Sequence, residues 1–228
     1  MNRQKRLAII LGTLIGAAVA AKATPYTVGA NVQVTETGNT PAEAVWINSG
    51  TLGTWDVWAG ITELNVNGVA TNSFCIDPFQ WSSSQQQQYT VTALGSAPFP
   101  TAGMGSAAAL TISKLWAENY QQALGNAQIA AGLQIAIWET VAGNPGMPSF
   151  SLVAGQSDYG AAGMLAVAAA DTSAVAPVSL VALANGTYQD YVVQNVPDAG
   201  TTLALLGLGL AALALVGRRS PAVVAIKD

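Results

Sequence analysis

The sequence predicts an α+β fold: a strand-rich sandwich or barrel-like part with an inserted helical part, an N-terminal signal helix and a C-terminal transmembrane helix. Three observations support this prediction. Apolar and polar residues alternate as in strands at both ends of the central region, and the middle of that region has apolar residues at helical spacing. Both chain ends are apolar runs, and overall 51% of the 228 residues are hydrophobic while only 9% are charged.

Residues 1–23 have the organisation of a secretory signal peptide, which a signal peptidase removes. The positive n-region consists of Arg3, Lys5 and Arg6, and the apolar run extends from Leu7 to Val19. The candidate cleavage sites are Ala18-Val19-Ala20 and Ala21-Lys22-Ala23. A retained N-terminal anchor helix is the alternative, although the apolar run is short for a bilayer. Both interpretations take the following domain out of the cytoplasm.

The central region, residues 24–195, has the size of one domain and begins with predicted strands. The first predicted strands are Tyr26–Glu36, Trp55–Trp58 and the two arms of a hairpin between Leu64 and Val69 with its turn at Asn67-Gly68. The next are Ser73–Asp77, buried and ended by Pro78, and Tyr89–Leu94. The polar, low-complexity run Ser82–Gln88 between them predicts an exposed loop.

Helices are predicted in the middle of the chain. Ser106 is the expected N-cap of one that runs towards Leu124 and stops at Gly125. Asn126 is the expected cap of the next, with Ile129, Leu133 and Ile137 on its buried stripe and Gln134 one turn before Trp138 on the adjacent stripe. An Ala-rich helix over Tyr159–Ala170 follows, and Pro177–Leu183 and Thr187–Gln194 form a closing hairpin around Asn185-Gly186.

The composition excludes several kinds of site. The chain has no histidine, so Ser-His-Asp and Cys-His nucleophilic sites and His-containing zinc sites are excluded. Its one cysteine, Cys75, excludes intramolecular disulfides and CxxC redox chemistry. Between Thr24 and Gly200 eleven acidic residues accompany a single basic one, Lys114. This charge disfavours nucleic-acid binding and favours a cationic partner. We predict no metal site and no cofactor.

A second apolar block, the seventeen residues Thr201–Gly217, is just long enough to cross a hydrocarbon core. Arg218 and Arg219 after it predict a cytoplasmic stop, with Ser220–Asp228 as a short cytoplasmic tail. The segment before it consists of Val196, Pro197, Asp198, Ala199 and Gly200. Its proline favours an extended backbone, which suits a processing enzyme.

This arrangement resembles the C-terminal sorting signal of the PEP-CTERM class, and specifically its VPDSG variant. The resemblance covers about Val196–Arg219, with Ala199 in place of the serine and nine further residues after the arginines. It implies cleavage by an exosortase-type membrane protease. It also implies a membrane-anchored precursor that is delivered to the cell surface, the outer envelope or an extracellular matrix. A plain single-span anchor is the alternative.

Two short motifs stand out in the central region, Phe-Cys-Ile-Asp at residues 74–77 and Leu-Gln-Ile-Ala-Ile-Trp at residues 133–138. Together they resemble the bacterial thioester domains, surface-adhesin modules with an internal Cys–Gln thioester. The resemblance spans roughly Thr24–Asn195 and implies that Cys75 and Gln134 form the thioester. In that chemistry the thiol displaces ammonia from the carboxamide, and an amine on a partner molecule later displaces the thiol.

The residues around the two motifs suit such chemistry. A stored thioester must be kept from water, and the predicted shielding side chains are Phe74, Ile76, Ile137 and Trp138. Asp77 and Glu139 are candidates for proton transfer, although such residues are more often solvated caps. Lys114 is a candidate for self-reaction. Because each molecule consumes its own electrophile, the protein is not expected to be an enzyme.

Two other functions compete with the thioester. In the first, the protein is an inert envelope or exopolysaccharide-matrix component and Cys75 is a buried thiol. In the second, it acts on carbohydrate through two of the carboxylates of Asp56, Glu63, Asp77 and Glu139. The tryptophans Trp46, Trp55, Trp58 and Trp81 would suit a sugar-stacking platform, but in a strand-rich region core packing is expected.

Overall fold

The computed structural model describes residues 26–196, which form one compact unit of seven strands and three helices. The strands are β1 (Asn31–Ser49), β2 (Gly53–Val66), β3 (Val69–Cys75), β4 (Gln87–Ala93), β5 (Phe150–Leu152), β6 (Leu180–Ala184) and β7 (Tyr191–Gln194). The helices are α1 (Gly105–Ala123), α2 (Ala127–Ala142) and α3 (Ala161–Ala170), with a short 3-10 turn at Leu94–Ser96.

All seven strands belong to one antiparallel sheet with the order β2-β3-β7-β6-β4-β1-β5. Because β1 also pairs with β2 along almost its whole length, six of the strands close into a ring. The remaining strand, β5, pairs only with the end of β1, at Ile47–Ser49. Closure leaves few unpaired strand edges, which would otherwise be open to pairing with another chain.

Two local signals in the sequence place parts of this sheet and the helix next to it. Asn67 and Gly68 both have positive φ, +52° and +86°, as a tight hairpin turn between right-twisted strands requires. The side chain of Asn126 accepts hydrogen bonds from the backbone N–H groups of Gln128 and Ile129, so it caps α2 as predicted. Both predictions are confirmed.

Helix α2 is almost wholly buried between α1 and the strands β1 and β2. A side chain at Gly132 would overlap the carbonyl oxygen of Tyr159, so glycine lets the segment before α3 approach α2 closely. Every residue from Ala130 to Trp138 is buried, including the polar Gln134. A buried amide must find hydrogen-bond partners, and those partners are in the strands.

The apolar residues form two clusters. The larger one joins α1 and α2 to one end of the sheet and contains Phe74, Cys75 and Ile76. The buried members of the smaller one are all strand residues and include Tyr89, Tyr191 and Val193. Cys75 and Tyr191 are paired across β3 and β7, so the boundary between the two clusters passes through this strand pair.

The predicted fold class is wrong. Residues 26–196 form a sheet-rich domain of seven antiparallel strands with three helices, in which helices and strands share a core. The extra strand content comes mainly from the second half of β1, where the polar run around Pro41 hides the alternation. No helix within residues 26–196 has the length and hydropathy to span a membrane. The predicted signal helix and transmembrane helix fall on residues 1–25 and 197–228, outside the described residues.

Most predicted elements have a counterpart with shifted ends. The predicted strand Tyr26–Glu36 begins instead at Asn31 and continues to Ser49, while Ser73–Asp77 ends at Cys75. The three predicted helices are confirmed to within a few residues, but Met104 and not Ser106 is at the N-cap of α1, so the predicted Ser106 cap is wrong. The closing hairpin pairs β6 with β7, but its connection is longer than a two-residue turn and extends from residue 185 to residue 190. Strand β5 was not predicted.

Candidate functional site

The carboxamide of Gln134 lies on the backbone of Cys75. The backbone N–H of Cys75 donates to Gln134 Oε1 at 2.9 Å, and Gln134 Nε2 donates to the carbonyl oxygen of Cys75 at 2.7 Å. Both residues are buried, with 4% and 1% of their surface exposed. The structure therefore brings together the two residues that sequence analysis paired.

The sheet explains why these backbone groups need a side-chain partner. The backbone hydrogen bond that faces β7 is made by Ile76, the residue after Cys75, whose N–H donates to the carbonyl oxygen of Asp190. In an antiparallel ladder neighbouring residues point their backbone groups to opposite sides, so those of Cys75 point away from β7. On that side the pairing with β2 ends at Ser73. The Gln134 amide thus supplies the hydrogen bonds that continued pairing with β2 would otherwise make to Cys75.

The Cys75 thiol has polar neighbours of its own. Its Sγ–H donates to Gln189 Oε1 at 3.5 Å, and the backbone N–H of Asp77 donates to Sγ at 3.3 Å. Burial raises the pKa of the Cys75 thiol well above its ordinary value, while the nearby Trp138 side chain lowers it and the Asp77 charge raises it further. The thiol is therefore protonated at neutral pH, and any attack by its sulfur requires an acceptor for that proton.

The four predicted shielding residues are all buried. Phe74, Ile76 and Ile137 are fully buried and Trp138 is 3% exposed. Phe74 packs edge-to-face on Trp116 of α1, with ring centroids 5.5 Å apart. The indole Nε1–H of Trp138 has no hydrogen-bond partner within the described part of the chain. The same N–H lies close enough to the thiol to lower its pKa, so it can also donate to an oxygen that enters the site.

The two candidates for proton transfer lie in different surroundings. Asp77 is 2% exposed, its Oδ1 accepts the backbone N–H of Phe79 at 3.1 Å, and burial raises the pKa of its carboxyl to about 7. Glu139 is exposed on α2. Its pKa is raised mainly by partial burial of the carboxyl and to a smaller extent by the charge of Asp158. The structure therefore places Asp77, and not Glu139, beside Cys75.

A hydrogen-bond chain that no sequence pattern indicates leads away from the thiol. Gln189, which accepts from the thiol, donates through Nε2 to Tyr191 Oη at 3.2 Å, and Tyr191 O–H donates to Glu36 Oε2 at 2.9 Å. The other carboxylate oxygen of Glu36 accepts from Asn39 Nδ2 at 3.0 Å. Glu36 is on β1, Tyr191 is the first residue of β7 and Gln189 lies in the connection before β7, so no local pattern connects them with Cys75.

A cavity of about 210 Å³ is lined in part by Cys75. Besides Cys75, its lining includes Glu36, Gln80, Gln189 and Trp138 together with the exposed rings of Trp58 and Trp81. A larger cavity, about 730 Å³, lies between the 3-10 turn, α1 and β6 and is lined by no predicted site residue. The smaller cavity is the one that gives access to the predicted chemistry.

The four tryptophans of the strand-rich half are exposed, so the expected core packing is wrong for them. The exposed fractions of Trp46, Trp55, Trp58 and Trp81 are 47%, 45%, 60% and 48%. Trp55 and Trp81 contact each other edge-to-face with centroids 4.8 Å apart. Since Trp58 and Trp81 line the cavity and Trp55 touches Trp81, three of the rings form an aromatic rim at its mouth.

The remaining candidates do not converge on this cavity. None of Asp56, Glu63, Asp77 and Glu139 lines it, and Asp77 is bound within its own turn. Within residues 26–196 no group of three or more His, Cys, Asp or Glu side chains is arranged to hold a metal ion. Lys114 is 6% exposed, donates to the carbonyl oxygen of Asp171 and lies 3.7 Å from its carboxylate. Lys114, the candidate for self-reaction, is therefore already engaged in an ion pair with Asp171.

Comparison with known proteins identifies the C-terminal segment. A family model described as the VPDSG-CTERM motif matches residues 195–220, whereas no curated protein and no solved structure matches the chain. The match supports a C-terminal sorting signal. The chain is accordingly an exported, surface-directed protein whose signal is consistent with processing by an exosortase-type protease. Of this segment, Pro197 to Gly200 and Arg218 and Arg219 lie outside the described residues.

The matched segment begins where the described domain ends. The Asn195 side chain accepts from the backbone N–H of Tyr26 at 2.9 Å and donates to the carbonyl oxygen of Tyr26 at 3.1 Å. The backbone N–H of Asn195 also donates to the carbonyl oxygen of Ser179. The domain therefore closes on Tyr26 and Asn195, directly before the motif.

Proposed function

We propose that this exported protein stores a thioester between Cys75 and Gln134 and uses it once, to attach itself covalently to an amine on a partner surface or matrix molecule. The observation that carries the proposal is the pair of hydrogen bonds between the Gln134 carboxamide and the Cys75 backbone. The resemblance of both motifs to those of thioester domains supports it. Each molecule reacts once, so the protein is not a turnover enzyme.

The geometry suits the formation of the thioester. The Cys75 N–H that donates to Gln134 Oε1 polarises the carboxamide carbonyl and stabilises negative charge on that oxygen as the sulfur attacks. The new S–C bond replaces the C–N bond of the carboxamide, and the nitrogen leaves as ammonia with the proton from the thiol. The high thiol pKa disfavours a free thiolate, so attack and proton transfer to the departing nitrogen are expected to be coupled.

The surroundings suit a thioester that waits for its acceptor. The buried Phe74, Ile76 and Ile137 keep bulk water from the acyl group. The cavity reaches the Cys75 side, so an acceptor can enter by one route. The unpartnered Trp138 N–H is a second donor for the acyl oxygen when the acceptor attacks.

An inert envelope or matrix protein is the second candidate function. The same two hydrogen bonds favour it, because they satisfy two buried backbone groups without any reaction. In that case Gln134 is a structural replacement for a strand and Cys75 is a protonated, buried thiol.

Intact-mass measurement of the purified domain separates the two functions. A thioester makes the chain lighter by one ammonia, and methylamine then adds at Gln134, where peptide mapping locates it. Cys75→Ala and Gln134→Glu should abolish both changes, whereas Gln128→Glu, an exposed position on the same helix, should keep them. A full-mass chain whose unfolded form presents a free thiol would establish the inert function instead.

A further inference from the structure

The cavity that borders Cys75 is also lined by a carboxylate with no role in the proposed formation of the thioester. Glu36 lines the cavity together with Cys75 and Gln189. Its position is set by two donors, Tyr191 O–H at 2.9 Å and Asn39 Nδ2 at 3.0 Å. Tyr191 is 1% exposed and fixed in β7, so the carboxylate is held by a rigid element and not by a surface loop.

The other residues that line the cavity favour a positively charged ligand. Gln80 Oε1 is a buried acceptor with no hydrogen-bond partner in residues 26–196, and Gln80 lines the cavity. Trp58 and Trp81 present exposed rings at its mouth, and aromatic faces attract cations. None of the lining residues in this part of the chain is basic, and the one lysine of residues 26–196 is engaged with Asp171.

We propose that this cavity is an ammonium-binding site, in which Glu36 binds the protonated primary amine of the acceptor, such as the end of a lysine side chain, and removes its proton. The proposal rests on the proposed thioester function and names the residues that receive the acceptor. A proton acceptor is needed because an ammonium group has no lone pair with which to attack, and Glu36 is the carboxylate among the lining residues.

The ammonium group gives one proton to the Glu36 carboxylate and becomes a neutral amine, whose lone pair attacks the acyl carbon of Gln134. The C–S bond breaks, the second amine proton goes to the Cys75 sulfur, and an amide and a thiol remain. Glu36 returns its proton to water, so the net reaction converts thioester and ammonium into amide, thiol and one proton.

Gln189 and Tyr191 act as positioning residues in this scheme. Gln189 accepts from the thiol and donates to Tyr191, and Tyr191 donates to Glu36. Every donor in this chain points towards Glu36, so the carboxylate is the final acceptor. The chain fixes the distance between the proton acceptor and the sulfur.

The first test compares a charged and a neutral nucleophile by intact mass. Methylamine is an ammonium ion at neutral pH, whereas hydroxylamine, which is similar in size, is largely uncharged. Glu36→Gln should slow methylamine addition by about tenfold or more while it leaves hydroxylamine addition nearly unchanged. Glu43→Gln, which removes an equal charge from β1 outside the cavity, should change neither rate. An unchanged methylamine rate in Glu36→Gln would overturn the proposal while the thioester stood.

The second test does not need a thioester. In the Cys75→Ala chain, butylammonium should change the fluorescence of the rim tryptophans saturably, and 1-butanol should not. Adding Glu36→Gln should remove the butylammonium response, with near-UV circular dichroism confirming the fold. A response that survives Glu36→Gln would overturn the ammonium site. A wild-type chain that loses no ammonia would instead overturn the proposed function, whatever the titration shows.

Discussion

Gln134 binds Cys75 through the backbone of that residue, with Oε1 on its N–H at 2.9 Å and Nε2 on its carbonyl oxygen at 2.7 Å. One side chain of α2 thus completes the hydrogen bonding at the end of β3. The same contact holds a carboxamide carbon next to a residue whose side chain is a nucleophile. Gln134 therefore has a structural role, which its replacement tests through stability, and a proposed chemical role, which its replacement tests through reactivity.

The first prediction concerns stability. In the Cys75→Ala background, where no cross-link can form, Gln134→Leu keeps the approximate side-chain volume but leaves the buried N–H and carbonyl of residue 75 without partners, so unfolding should require about 2–5 kcal/mol less free energy. Gln128→Leu, exposed on the same helix, is the control and should change stability little. Urea denaturation measures both. A stability loss no greater than that of the control would show that the two hydrogen bonds contribute little.

The second prediction concerns the cross-link that a thioester would form. It would join residues 59 positions apart and so restrict the unfolded chain, which corresponds to about 4 kcal/mol in the loop-entropy model. Methylamine treatment opens the link, and calorimetry should therefore show a lower Tm for the treated protein. Cys75→Ala has no link to open, so its Tm should not respond to methylamine. An equal Tm before and after treatment of the wild type would count against a cross-linked starting state.

The third prediction concerns pH. Folding raises the pKa of the Asp77 carboxyl from 3.8 to about 7 through burial, so the folded state binds this proton more tightly than the unfolded state. The associated stability is present below about pH 4 and is lost as the pH rises towards 7, by an amount on the order of a few kcal/mol. Burial also raises the Asp190 pKa, to about 8, which extends the fall in the same direction.

Asp77→Asn tests this assignment. The amide keeps an oxygen for the Phe79 N–H but cannot ionise, so the decrease in Tm between pH 4 and pH 7 should become shallower. Asp56→Asn, at an exposed position of β2, is the matched control and should leave the slope as it is. A variant slope equal to that of the wild type would assign the pH dependence to other groups.

The fourth prediction concerns the boundary between domain and sorting motif. Asn195→Ala removes both hydrogen bonds to the Tyr26 backbone, and unfolding should become easier by about 1–2 kcal/mol. Amide hydrogen exchange at Tyr26 should accelerate more than exchange in β3, because only the closure of the two ends is lost. Asn185→Ala, in the connection between β6 and β7, should leave amide exchange at Tyr26 unchanged. Equal protection of Tyr26 in Asn195→Ala and wild type would show that Asn195 does not hold the ends together.

Local signals predicted the elements that depend on neighbouring residues. The positive φ values at Asn67 and Gly68 and the Asn126 cap follow from side-chain chemistry within a few positions. The second half of β1 was missed because its strand conformation depends on pairing with β2 across the sheet. The tryptophans were misplaced because alternation does not tell which face of a strand meets the core until the sheet is closed.

The amino-acid sequence by itself determined the terminal sorting motif and the absence of histidine chemistry, because both depend only on residue identity and local order, and the resemblance of its two short motifs to thioester domains made Cys75 and Gln134 candidates. Only the tertiary structure decided that Glu36, Gln189 and Tyr191 form a chain of hydrogen bonds from the thiol to a carboxylate in an accessible cavity. These residues come from opposite ends of the domain. Antiparallel strands that are distant in sequence are brought together only when the whole sheet closes, and no local pattern carries that information.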